Sequence, residues 1–152
     1  MADSERKGQR EIREHLIRLL YLRDFHETDE LAEQNQLYFD VFLPTEGIEF
    51  DRADAVLEKY DRVVAALPEI DSRITAEMQG WRLGRIGLLE KSILRLSVFE
   101  MVYDKLPVRV SINEAVELAK IYGREQSYSF VNGVLAKIVK GLDKDGKQSS
   151  SD

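Results

Sequence analysis

The chain has 152 residues, the size of one ordinary domain, with 43% hydrophobic residues, 33% charged residues and no cysteine. A chain this long buries about two-thirds of the surface it exposes when unfolded, so it folds without disulfide or metal staples. Disulfides and thiol catalysis are excluded, no apolar run approaches the roughly 18 residues that span a bilayer, and the polar N-terminus has no signal-peptide core; the expectation is a cytoplasmic protein.

Sustained alternation of apolar and polar residues is absent, whereas 3.6-residue periodicity recurs in most segments. Seven helices are predicted, in an all-α bundle. The first runs from about Arg6 to Phe25, with Ile12, Leu16, Leu19 and Leu20 as its apolar stripe. A second follows a Thr28 N-cap and carries Leu31, Leu37, Phe39, Val41 and Phe42 before Pro44 and Gly47 break the pattern. A third starts at an Asp51 cap and ends near Leu67, and a short fourth covers about 69 to 78 and stops at Gly80. The fifth, about 86 to 104, is apolar around almost its whole circumference, which places it at the centre of the bundle. Pro107 precedes Ser111-Ile112-Asn113-Glu114, which spells a capping box for the sixth. That helix closes at Tyr122-Gly123, where glycine suits a left-handed C′ position. The seventh runs from about Gln126 to Leu142, and the tail over 143–152 is too polar to order itself.

Catalytic constellations are missing. His15 and His26 have no metal-ligand context, and the Gly84 to Ser92 stretch ends like a phosphate loop but has Glu90 where glycine is required. No enzyme activity, metal or cofactor is expected.

The net charge of −6 is unevenly spread. Residues 1–23 carry six Arg or Lys against four acids, residues 24–71 carry three against fourteen, and residues 78–142 carry ten against six. Salt screens surface fields over about 8–10 Å, so the regional sums govern binding more than the total. At about 100° per residue, Arg6, Lys7, Arg10, Arg13, Ile17 and Tyr21 share one stripe of the first helix, opposite Ile12, Leu16 and Leu19. Cations that neutralise phosphates beside an aromatic face that stacks on a splayed base suit single-stranded RNA; an ordinary Arg-rich solvated face gives the same spacing. The segment Gly123 to Phe130 begins the last helix, whose free N–H groups suit a phosphate, although Gln126 or Ser127 also reads as a plain helix cap and Phe130 as core.

Several of these residues fall within a longer pattern. Trp81 to Arg85, Glu90 to Glu100 with Ile93-Leu94-Arg95, Pro107, Ser111 to Lys120 with Ile112-Asn113-Glu114-Ala115, Tyr122-Gly123 and Ser127 to Leu135 with Phe130-Val131-Asn132-Gly133 resemble the C-terminal signature of the NusB family of transcription antitermination factors. The match covers roughly a third of the chain strongly; Arg13-Glu14 and Leu20-Tyr21 fit more loosely, and residues 26–80 match in helical character alone. The resemblance implies an all-α fold of two small helical subdomains and a non-enzymatic role. It implies joint binding of boxA RNA from ribosomal RNA transcripts with NusE, a small-subunit ribosomal protein, within an RNA polymerase antitermination complex. By position, RNA contacts fall on Arg6, Lys7, Arg10, Arg13, Tyr21, Gln126, Ser127 and Phe130. Partner contacts fall on Tyr21 and on the outer side of the fifth helix at Glu90 and Arg95. Asp3, Glu5, Glu11 and Glu14 dilute the basic segment, which shifts weight to the partner. Monomer and homodimer both occur in the family. NusB-like domains also serve as RNA-binding modules of ribosomal RNA cytosine methyltransferases, whose separate Rossmann-like domain is not expected after Leu142; a structural helical dimer that does not bind RNA is a third reading.

Overall fold

The computed structural model describes residues 2–78 and 87–150, with side chains described for 5, 7–78 and 87–142. Among the described residues every regular element is helical: α1 (Ala2–Leu22), α2 (Leu31–Leu37), α3 (Leu43–Thr45), α4 (Ala53–Ala76), α5 (Leu88–Val102), α6 (Val108–Tyr122) and α7 (Glu125–Ser150). The chain divides into two compact units, 1–65 and 66–152, and the division falls inside α4.

In the first unit, α1 buries Ile12, Leu16, Leu19 and Leu20 as its periodicity predicts. Two short 3-10 turns, Arg23–Phe25 and Thr28–Glu30, lead into α2, so Thr28 opens a turn rather than capping the helix. Between α2 and α3 the backbone widens into a π turn over Tyr38–Phe42. Pro44 has no N–H for the Asp40 carbonyl, and the wider turn lies across that gap. The run ends on a Schellman motif: the Ile48 N–H donates to the Leu43 carbonyl at 2.9 Å and the Gly47 N–H to the Pro44 carbonyl at 3.0 Å, with Gly47 at φ 75°. His15 packs in an aromatic cluster, its ring centroid 4.2 Å from Phe50 and 5.8 Å from Tyr38. Its Nδ1 lies 2.7 Å from the Tyr38 hydroxyl. Burial, then the nearby Arg18 charge, lowers the His15 pKa from 6.5 to about 4, so the ring is neutral near pH 7.

One helix, α4, replaces the third and fourth predicted ones, with Pro68 inside it. Proline in a helix interior costs about 3 kcal/mol, yet the buried stripe Val56, Tyr60, Val63, Leu67, Ile70 and Ile74 keeps its i+3 or i+4 spacing straight through position 68. A break would move half of that stripe out of phase. Tertiary burial therefore decides against the local preference.

In the second unit, α6 packs against both α5 and α7, and α5 also meets α7. Every residue of α5 from Ser92 to Met101 is buried, matching the central position expected of it. Its two serines are satisfied by specific partners: the Ser92 hydroxyl donates to the Leu88 carbonyl at 2.8 Å, and the Ser97 and Ser111 hydroxyls lie 2.8 Å apart. That second pair explains why α6 starts at Val108 and not at the predicted capping box. Ser111 sits inside the helix facing α5, and Pro107 occupies the N-cap position. Gly123 also differs from expectation. Its backbone is extended rather than left-handed, and glycine is required there for space, because a Cβ would stand 2.7 Å from both the Ala119 carbonyl oxygen and Ser127 Cβ. Left-handed backbone occurs instead at Gly47 and at Lys105, past the end of α5 (φ 56°). Helix α7 is assigned to Ser150, beyond Leu142 where the apolar pattern ends.

Candidate nucleic-acid interface

On α1, buried side chains extend further round the helix than the apolar residues alone imply. Arg13 is 7% exposed and Ile17 3%, so two of the six residues of the predicted water-facing stripe turn inward. The solvent side carries Lys7, Glu11 and Tyr21 exposed and Arg10, Glu14 and Arg18 half-buried. The Arg6 side chain lies outside the described residues. Three cations and two carboxylates share that solvent side, which leaves a mildly positive surface rather than a strongly basic one.

At the C-terminal end of that surface, Tyr21 is 38% exposed and Phe25 is 60% exposed, with ring centroids 5.4 Å apart. An exposed aromatic pair on a soluble surface leaves apolar area in water, and its flat faces are free to stack on another π system. Phe25 was missed by the sequence reading although its i+4 spacing from Tyr21 placed the two side by side.

In the second unit, the start of α7 is built from a chain of hydrogen bonds. The Arg124 N–H donates to Ser127 Oγ at 3.2 Å, and Ser127 Oγ donates to Glu90 Oε1 at 2.5 Å. The first contact is one half of a capping box, with the third helical residue reaching back to the N-cap amide. Ser127 is therefore buried with both partners inside its own unit, and Gln126 is the exposed polar side chain beside it. Phe130 and Tyr128 are half-buried, and the Lys120 ammonium stands 5.5 Å from the centroid of the Tyr128 ring.

The outer face of α5 that was to hold the partner contacts does not exist at Arg95. That side chain is 6% exposed and grips Asp71 of α4 with two bonds, Nε to Oδ1 at 2.9 Å and Nη2 to Oδ2 at 2.8 Å. A planar guanidinium matches a carboxylate in this fork, which explains arginine at a core position. Asp71 was not singled out in the sequence, since its role depends on a residue 24 positions away. Glu90 is half-buried at the open end of α5, folded back over Gly87 and bonded to Ser127. The Trp81 to Arg85 part of the sequence pattern lies outside the described residues. Among the described residues, no group of three or more His, Asp or Glu side chains is arranged to hold a metal ion, and no helix is long and apolar enough to cross a membrane.

Residues 10–140 match the NusB family. A transcription antitermination protein NusB of Lachnoclostridium phytofermentans is 45% identical over 132 residues, covering 86% of this chain and 98% of the relative. The chain belongs to the NusB family. A second relative of the same description, from Agathobacter rectalis, is 41% identical and covers 83% of this chain and 95% of its own length. Among solved structures, NusB of T. maritima superposes with a TM-score of 0.70 at 28% identity, covering 86% of this chain and 89% of that one. A structure of the antitermination factors NusB and NusE in complex with double-stranded RNA gives a TM-score of 0.70 at 27% identity, covering 89% and 98%. The family's two-subdomain helical architecture, expected from the signature, is the one observed.

Proposed function

We propose that this chain is a transcription antitermination factor of the cytoplasm that binds boxA-type single-stranded RNA jointly with NusE and helps RNA polymerase resist termination. The observation that carries the reading is the exposed Tyr21–Phe25 pair at the end of a helix bearing Lys7 and Arg10. Bases in a duplex keep their faces stacked on one another, whereas an unpaired strand offers them to aromatic rings. Lys7, Arg10 and Tyr21, with Arg6, bind the RNA directly, and Gln126 and Phe130 form the contacts in the second unit. Arg13 and Ser127 act from buried positions, Ser127 by holding the first turn of α7. Tyr21 and Glu90 meet the protein partner, and Arg95 supports α5 behind Glu90 through Asp71.

The test is a fluorescence titration of a boxA oligonucleotide with the full chain at low salt, alone and with NusE. NusE is expected to tighten binding clearly, and a matched duplex is expected to bind more weakly than the single strand. Tyr21→Ala should cost about 1–3 kcal/mol of RNA affinity, the usual worth of one stacked base, while far-UV circular dichroism stays unchanged. Full affinity in Tyr21→Ala and Arg10→Ala, or no response to NusE, would overturn the assignment.

A further inference from the structure

A different surface of the first unit has the opposite character. From Asp24 to Asp51 the sequence holds nine Asp or Glu and not one Lys or Arg. Within it, the run from α2 through the π turn leaves Leu37 42%, Val41 53% and Phe42 50% exposed, with Ile48 at 39% just beyond the Gly47 cap. Leu37 is four residues from Val41 and five from Phe42, so the widened turn sets them on one side; Phe42 is held flat by stacking on Tyr38, with centroids 5.6 Å apart and the planes 16° from parallel. Glu33, Asp40, Glu46 and Glu49, all exposed, accompany them along the same run. Apolar side chains in water beside a single sign of charge match a docking site more closely than a plain solvated face, which would expose its carboxylates and bury Leu37 and Phe42.

We infer that this face of the α2–π turn–α3 run docks a basic amphipathic segment of a protein partner, one carrying apolar anchors flanked by Lys or Arg. Charge selects the occupant. RNA is repelled by a run that contributes nine carboxylates and no Lys or Arg of its own, with Arg18 of α1 near it at the Tyr38 hydroxyl. A second copy in a two-fold arrangement would set the same patch against itself and oppose its carboxylates. A basic helix reverses both effects, its anchors covering Leu37, Val41 and Phe42 while its charges meet the acidic margin. The inference stands apart from the RNA reading, because it uses none of the residues assigned to RNA or to NusE.

The probe is a fluorescein-labelled amphipathic helical peptide with leucines at i and i+4 flanked by Lys and Arg, titrated against the full chain by fluorescence anisotropy at about 50 mM salt, where screening is weak. The control peptide replaces every Lys and Arg by Glu. The basic peptide is expected to bind and the acidic one not to. Leu37→Ser combined with Val41→Ser should weaken binding at least about tenfold, and Val41→Arg alone should do so by setting a like charge against the peptide's cations. Both changes fall on exposed positions and should leave helicity intact, and Tyr21→Ala should leave peptide binding unchanged. Equal binding of the two peptides, or full binding by the double variant, would overturn the inference. So would a concentration-dependent doubling of mass in sedimentation equilibrium that the same double variant abolishes, since the occupant would then be a second copy.

Discussion

Removing Asp71 tests whether Arg95 belongs to the core or to a partner surface. Asp71→Ala leaves a guanidinium in a site where the residue is only 6% exposed, with two of its bonds gone. Stranding one member of a fully buried pair costs about 3–5 kcal/mol. The Asp71 side chain retains 26% exposure, so water reaches that end and the expected cost falls to about 2–3 kcal/mol. Urea unfolding followed by circular dichroism, with a slope of about 2 kcal/mol per molar, should show the midpoint about 1 M lower. Replacing both members, Arg95→Met with Asp71→Ala, removes the stranded charge and should recover most of the loss, because Nη1 of Arg95 is buried without a hydrogen-bond partner among the described residues and the pair is not at its best. An Asp71→Ala variant within about 0.5 kcal/mol of the parent, the range of ordinary surface substitutions, would refute the account. So would a double variant no more stable than the single one. If NusE binding survives in the double variant, Arg95 acts through the core.

His15 sets a pH dependence whose sign is fixed by its lowered pKa. Its stabilising contribution is complete above the unfolded value of 6.5 and is lost as pH falls towards about 4, amounting to about 2 kcal/mol by pH 5; an NMR titration of the His15 ring with a midpoint near 6.5 would contradict this. Gly47→Ala should cost about 1 kcal/mol in urea unfolding through its φ of 75° alone, since a Cβ there meets nothing within 4 Å. Gly123→Ala should cost more than Gly47→Ala, because its Cβ would press on the Ala119 carbonyl and on Ser127, and it should also weaken boxA binding if the first turn of α7 contacts RNA. Equal costs for the two glycine variants would count against the distinction drawn between them.

The sequence made most of the second unit legible because its signals are local and agree with one another. The apolar periods of α5, α6 and α7 and the signature between Glu90 and Leu135 all lie where helices are found. Most of the misjudged points depended on what a residue meets in the folded chain rather than on its own type. Pro68 reads as a stop until the stripe from Val56 to Ile74 is seen to keep its phase, a clue the sequence did contain. Ser111 reads as a cap unless Ser97 is known to face it. Arg13 and Arg95 read as surface cations because charge normally stays in water, and only a partner such as Asp71 makes the exception affordable. Gly123 carried no signal that distinguished a need for space from a need for a left-handed angle.

The polar groups within α5 bear on how one packing arrangement is chosen. A helix apolar on nearly all sides has little reason to prefer one rotation about its axis, since turning it exchanges one greasy face for another. The fork from Arg95 to Asp71 and the Ser97–Ser111 contact are both satisfied at a single angular setting and a single height along the axis. Rotating the helix by one residue, about 100°, would strand a guanidinium and two hydroxyls among hydrocarbon. In this helix, hydrophobic burial provides most of the attraction, and a few polar side chains act as a key that admits only one seating.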